Sequence, residues 1–508
     1  MSPQDQSLSL VLRRSAQRYP GKPALIFGDE SWTFAELDRL ADEIAGGLLG
    51  AGIASGDRVA IVARNSNVFL AIRFAVARIA AVLVPVNVML APSDIAYILA
   101  HSEAMLVFAD AEFVGAVREA LAGADTPVVT VAGKDEACAS WQALRVPGAA
   151  ERDLASSEDL LQIVYTSGTE SRPKGAMLSH GAVLWEYQSC LFGCEWSAND
   201  VTLHALPLFH CAALDLMAGP AICAGATAVI IARPSPEEIC TAIGRHRVTS
   251  LFAPPTVWIA ILQAGGSDRY DLSSLTKGYY GASIMPVAVI EELARCLPQL
   301  RLWNVYGQTE IAPLATLLSP EEHPGRLGSA GRAALHVQTR VVDDQMNDVN
   351  PGGVGEIVHR SPQLLSGYWK DPEKTAEAFE GGWFHSGDLA TIDADGYITV
   401  VDRKKDMIKS GGENVSSREV EEVIYSHPKV AEVAVIGLPD DRWIEVVAAV
   451  IVLRAGETCA VEDIARHCAH GLAGFKRPKH IFFADSLPKN ASGKILKRDV
   501  RATYGNER

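Results

Sequence analysis

The stretch YTSGTESRPKG, Tyr165 to Gly175, follows the apolar run LLQIVY and is dense in Ser, Thr and Gly before it reaches Lys174. Backbone N–H groups, small hydroxyls and an ammonium on a loop after a buried strand make a cradle for an anion, phosphate above all. The GxxxxGK spacing of a Walker loop is absent. Four further strings carry matching chemistry. YGQTE, residues 306–310, ends the run LWNV and offers a hydroxyl and a carboxylate at a strand's carboxyl end, where α/β folds bind ligands. SGDLA, 386–390, sets Asp388 in a turn suited to gripping a ribose diol. VVDRKKDMIKSGGENVS, 400–416, puts Arg403 beside a hinge-like connector, and PKNASGKILKR, 488–498, presents Lys494 on a glycine-containing loop. Each string alone is weak evidence; the five in this order are strong evidence.

These residues need elements to hold them. Thr33 to Glu36 reads as a capping box before Leu37, Leu40, Ala41, Ile44 and Leu48 at helical spacing. RVAIVA, LVPVN, MLVFAD and PVVTVAG read as buried strands that alternate with helical stretches such as NVFLAIRFAVARIA. The alternation continues through LLQIVY, TAVIIA, TSLFAP and LWNVYG, with helices at PEEICTAIGRHRV and PVAVIEELARCL, and predicts largely parallel sheets covered by helices. From about 330 to 401, turn signals NPGGVGE and DADGY separate short alternating runs, as in an antiparallel meander or small barrel. A second capping box, Ser416 to Glu419, and the runs VAEVAVIG and VVAAVIV predict a compact α+β tail over 403–508, with the boundary at Asp402.

At 508 residues and 48% hydrophobic the chain is too long for one core. A net charge of -15 argues against nucleic-acid binding, which needs clustered Lys and Arg. The apolar stretch from Phe74 to Leu90 is broken by Arg78 and Pro85 and too short to span a bilayer. Nine cysteines without regular spacing, and a start (MSPQDQSLSL) without a basic and apolar leader, predict a cytoplasmic location. Cys190 and Cys194 read as buried thiols rather than metal ligands.

Together the five strings, with LPLFH at 206–210 and WNVYGQTE, resemble the adenylate-forming superfamily of acyl-CoA and aryl-CoA synthetases over essentially the whole chain. The resemblance implies an α/β fold: a large amino-terminal domain of two helix-covered sheets plus a distorted β-barrel, and a small mobile α+β carboxy-terminal domain that turns about Asp402. It implies a carboxylate attacking the ATP α-phosphate to give acyl-AMP and pyrophosphate, after which the thiol of coenzyme A displaces AMP. Lys494 would contact the carboxylate and bridging oxygens, and Glu310 the Mg2+. Thr166, Ser167, Gly168, Thr169, Glu170 and Lys174 would face the β and γ phosphates, with Asp388 and Arg403 on the ribose. Gly281, Ala282, Asn304, Tyr306, Gly307 and Thr309 would surround the nucleotide. Cys211, Ala212, Ala213, Tyr280, Val305 and Ile311 would line the acyl pocket beside His210 as its gate. Gly411 and Gly412 would form the pantetheine passage, with Trp443, Phe475 and Arg477 toward the nucleotide end of CoA.

The family pattern TSGTTGxPKG is broken at Glu170 and Ser171. A carboxylate about 5 Å from a phosphate charge, at an effective dielectric of about 20, is repelled by about 3 kcal/mol. Tyr280 stands where relatives carry glycine, and Ile444 replaces a common glycine after Trp443. Three readings follow: a complete ATP-dependent acyl-CoA ligase; a half-enzyme that takes acyl-AMP from a separate adenylating enzyme and passes the acyl group to CoA; and a non-catalytic acyl or nucleotide binder. The small uncharged residues after His210 favour a roomy apolar carboxylic acid over a dicarboxylate.

Overall fold

The computed structural model describes residues 6–151, 153–166, 172–283, 285–411, 413–440, 442–490 and 494–505. Thr33 caps the helix Phe34–Gly50 by accepting from the Glu36 N–H, while the Glu36 carboxylate accepts from the Thr33 N–H. The helix Asn67–Arg78 is buried at every position, which explains why its sequence is apolar all round rather than striped. Its two arginines find carboxylate partners, Arg73 with the buried Asp215 and Arg78 with the half-buried Asp38 and the buried Asp42.

Two large sheets make up most of the chain. The nine-stranded one has a parallel centre, built from Val201–His204, Thr227–Ile230, Ser250–Phe252, Lys277–Gly281 and Arg301–Gly307, with antiparallel strands at both edges. Pairing of Tyr280 with Asn304 and Gly281 with Val305 brings the carboxyl ends of two neighbouring strands side by side. In the eight-stranded sheet, Val82–Pro85, Arg58–Val62 and Ala104–Ala109 are parallel. There, Leu160–Thr166 and Lys174–Ser179 form an antiparallel hairpin, with Thr166 opposite Lys174. The loop that reads as a phosphate cradle therefore closes a hairpin and does not open a helix, so no helix macrodipole aids it.

The meander expected between 330 and 401 is a four-stranded antiparallel sheet, Gln338–Val342, Val354–Arg360, Phe384–Ile392 and Ile398–Arg403. A separate five-stranded sheet, dominated by the Val430–Asp440 and Ile444–Leu453 hairpin, forms the small carboxy-terminal domain. The helices Ser417–Tyr425 and Val461–Gly471 cover one of its faces through Val420, Ile424, Ile464 and Cys468. The helix Lys497–Tyr504 covers the other through Val500 and Tyr504. No helix among the described residues is long and apolar enough to cross a membrane. Cys190 and Cys194 are buried free thiols, as expected.

Candidate active site

The site gathers where the ends of three sheets meet. Tyr306, at the end of its strand, donates to Asp388 Oδ2 at 2.7 Å, and the Arg403 Nε lies 3.3 Å from Asp388 Oδ1. Asp388 and Arg403 are direct antiparallel partners, so sheet register alone sets that pair. One carboxylate held by a phenol and a guanidinium is an acceptor group fixed in place, as a ribose diol requires.

Glu310 follows in the short 3-10 turn Thr309–Ile311. Burial pushes its carboxyl above the usual range, against the pull of the Tyr368 hydroxyl, Arg403 and Lys174. A buried carboxylate short of positive charge fits a divalent cation. Among the described residues no group of three or more His, Cys, Asp or Glu could enclose a metal ion. A single carboxylate of this kind could hold a hard cation such as Mg2+ if a ligand supplied further oxygen donors.

Lys494 reaches this cluster from the small domain. Burial, then repulsion from Arg403, brings its ammonium down to about 7, while Asp388 and Asp406 act in the opposite direction. Its loop is pinned by reciprocal bonds, the Lys494 N–H to Asn490 Oδ1 and the Asn490 N–H to the Lys494 carbonyl, both 2.8 Å. Burial, with the Lys494 charge nearby, lowers His210 to about 4, so its imidazole is neutral near pH 7. His210 Nδ1 accepts from the Ala212 N–H at 3.3 Å, which leaves Nε2 as the protonated nitrogen. Lys494 thus comes from the far end of the chain to within electrostatic reach of His210, Asp388 and Arg403.

Close backbone approaches account for the glycines. A Cβ on Gly281 would strike the Val305 carbonyl, and one on Gly307 the Pro313 carbonyl. Ala282 lies in the left-handed region at φ 63°, a strained setting for a residue with a Cβ. Asn304 spends its amide on the Ser329 carbonyl at 2.6 Å. Thr309 Oγ1 meets Cys211 Sγ at 3.2 Å, and burial pushes the Cys211 thiol well up, so it is no nucleophile. Val305 and Ile311 belong to an apolar cluster with Trp196, Tyr279 and Trp303, against which Ala212 packs. Ala213 is buried in the main core.

Tyr280 departs from expectation. Its ring is buried among Leu203, Ala205 and Met285, and its hydroxyl meets His323 Nε2 at 3.0 Å. It fills core rather than presenting a surface to an acyl group. Tyr279, on the other face of the same strand, is the ring that joins the Trp196 and Trp303 cluster. Alternation along a strand makes such neighbours trade places when the register is unknown.

Thr166 sits at the mouth of the hairpin, and Ser167, Gly168, Thr169, Glu170 and Ser171 lie outside the described residues, as does Gly412. Gly411 (φ 62°) bonds through its N–H to the Trp443 carbonyl at 2.8 Å, and a Cβ there would sit 2.5 Å from the Trp443 ring. Trp443 and Phe475 are 39% and 43% exposed on the small domain. Arg477 spends its donors on the Leu472 and Ala469 carbonyls, which end the helix Val461–Gly471. Its local task is capping.

Asp402 is buried and works as a helix cap in trans. Its Oδ2 accepts from the Ser417 N–H and hydroxyl at 2.7 and 2.6 Å, and its Oδ1 from the Arg403 N–H. Lys497 also donates to the Ser417 hydroxyl and pairs with Glu421. Arg418 reaches back to the carbonyls of Val400 and Gly328. These contacts hold the first helix of the small domain against the last strand of the antiparallel sheet. Tyr368, which lies in none of the five strings, donates to Glu310 and lies under Lys174. The string GYWK gave no chemical signal for it.

A profile described as AMP-binding enzyme matches residues 12–369, and one described as AMP-binding enzyme C-terminal domain matches residues 419–494. The chain belongs to the AMP-binding enzyme family. Family members similar along their whole length include a feruloyl-CoA synthase of an Amycolatopsis species, 38% identical, with 97% of this chain and 98% of the relative covered. An indoleacetate–CoA ligase of Aromatoleum aromaticum is 37% identical, with 97% of each covered. The crystal structure of an anthranilate CoA ligase in complex with anthranoyl-AMP superposes with a TM-score of 0.93 at 26% identity, covering 99% of this chain and 98% of that one.

Proposed function

We propose that this protein is an AMP-forming acid–CoA ligase for an apolar aryl carboxylic acid, and that it carries out both half-reactions. The observation that carries the reading is Lys494, delivered by the small domain to the cluster of Asp388, Arg403 and His210. In the first step a carboxylate oxygen bonds to the α-phosphorus of ATP and the bond to pyrophosphate breaks. Two anions must meet, so cationic donors aimed at the α-phosphate oxygens stabilise the transition state. Lys494 and Arg403 supply that charge, Asp388 and Tyr306 hold the ribose, and the hairpin ending at Lys174 receives the β and γ phosphates. Mg2+ on Glu310 would offset phosphate charge.

In the second step the CoA sulfur bonds to the acyl carbonyl carbon, the bond to the AMP phosphate oxygen breaks, and the thiol proton leaves to solvent or to AMP. Lys494 must then be out of the way. Asp402, at the junction, is the proposed pivot, with 1–401 and 403–508 as the two bodies. A turn there breaks its bonds to Ser417 and those of Arg418, and Gly411 and Trp443 at the hairpin turns, with Phe475 of the short turn Gly474–Lys476, take over as the thiol passage.

The choice of an apolar acid rests on the small uncharged residues Cys211, Ala212 and Ala213 after His210, which bring no charged side chain for a second carboxylate. Relatives named for feruloyl, indoleacetate and anthranilate substrates accord with it. The test supplies purified protein with ferulate, indoleacetate or anthranilate plus ATP, Mg2+ and CoA, and separately with the chemically made acyl-adenylate and CoA. Thioester in both arms is expected. Thioester from the adenylate alone would replace this reading with the half-enzyme, and none in either arm would leave a binding protein.

A further inference from the structure

We propose that Tyr368 is a positioning residue that aims the Glu310 carboxylate at its cation and seats the Lys174 ammonium; the proposal rests on the ATP-dependent reading above. Tyr368 lies on the two-residue strand Gly367–Tyr368, which pairs with Met177 and Ala176 of the strand that begins at Lys174. The segment around it is bonded on both sides. The Leu365 N–H donates to the Glu310 carbonyl at 2.8 Å, and the Trp369 N–H to the Gly175 carbonyl at 2.7 Å. The Tyr368 N–H itself is fixed on Thr375 Oγ1 at 2.9 Å. A short rung thus joins the turn that carries Glu310 to the hairpin that carries Lys174, and these belong to different sheets.

The side chain uses that placement twice. Its hydroxyl donates to Glu310 Oε1 at 3.2 Å, and the Lys174 Nζ lies 5.3 Å from its ring centroid. Holding one carboxylate oxygen fixes the plane of the group and therefore the direction of the other oxygen, which is what orienting partners of metal ligands do. A ring face under an ammonium attracts it without neutralising it, so the charge stays available to phosphate. The hydroxyl and the ring can be removed one at a time, which separates the two roles.

Tyr368→Phe keeps the ring and loses the hydroxyl; Tyr368→Leu loses both. Binding of Mn2+ in the presence of ATP, read by electron paramagnetic resonance, should weaken about 10-fold in both variants. ATP affinity in EDTA should be unchanged in Tyr368→Phe and weaker in Tyr368→Leu, because only the latter unseats Lys174. Thioester formation from acyl-adenylate and CoA, which involves no pyrophosphate, should stay within about twofold of wild type in Tyr368→Phe. Unaltered Mn2+ binding in Tyr368→Phe, or equal loss of both half-reactions, would overturn the proposal. So would a wild-type protein that binds no Mn2+ with ATP. A wild type that binds Mn2+ and ATP yet makes no thioester counts against the ligase reading alone, since the Mn2+ comparison still reads Tyr368.

Discussion

On the proposed domain motion, docking the small domain takes Lys494 from water, where a lysine titrates at 10.5, to the setting of this structure, which brings it to about 7. The ordinary value lies above the docked one, so docking of the nucleotide-free protein releases a proton between those limits. Above pH 10.5 the amine is neutral in both states and docking carries no charge penalty. As pH falls from 10.5 to 7 each unit costs about 1.4 kcal/mol, and below 7 the penalty levels off near 5 kcal/mol. ATP reverses the balance, because its phosphates stabilise the ammonium and return it toward its ordinary value. At pH 8 the docked amine is about one-tenth protonated, so ATP binding should take up about 0.9 proton. Calorimetric titration in buffers of different ionisation enthalpy measures this directly as the slope of observed heat against buffer enthalpy. His210, at about 4, does not contribute at that pH. Lys494→Gln should abolish the uptake and lower adenylation by at least about a hundredfold while sparing thioester formation from acyl-adenylate. Zero uptake in the wild type, or the same uptake in Lys494→Gln, would refute the docked neutral lysine.

Three further outcomes follow from other parts of the molecule. Glu170→Thr with Ser171→Gly should raise the adenylation rate at low ATP, by up to about a hundredfold if the carboxylate stands near phosphate, read by pyrophosphate release; no rise means Glu170 faces solvent. Asp402→Ala removes the acceptor for the Ser417 N–H and should cost about 1–2 kcal/mol in denaturant unfolding of the small domain, with a larger fall in adenylation than in thioester formation. Ile444 is 66% exposed at φ 69°, a conformation that suits glycine and strains a β-branched residue. Ile444→Gly should therefore leave stability unchanged or raise it by about 1 kcal/mol, and a clear loss in thermal unfolding would show that the isoleucine packs where the strain argument says it does not.

The elements most legible in the sequence were those whose pattern is local. The capping box at Thr33, the strand at LLQIVY and the helix at PEEICTAIGRHRV formed where their residues said they would. Tyr280 stands in a string of expected nucleotide-site residues, but a strand turns alternate side chains to opposite faces and this ring lies in the core. Tyr368 was missed for the converse reason. Its placement depends on a two-residue edge strand of the eight-stranded sheet, which no spacing in GYWK encodes.

What the amino-acid sequence determined by itself was the set of chemical groups and the order in which the chain offers them: a loop ending at Lys174, Glu310 after a strand, Asp388 and Arg403, and Lys494 near the end. Local turn and strand chemistry is enough to present each. Only the tertiary structure decided which of them meet. Asp388 faces Arg403 because two antiparallel strands pair in that register, and Lys494 approaches both because Asp402 caps a helix of the other domain. Burial at that meeting point then alters the groups themselves, holding Glu310 short of positive charge and bringing Lys494 to about 7. Desolvation acts on a charge only once neighbours from elsewhere in the chain have displaced its water.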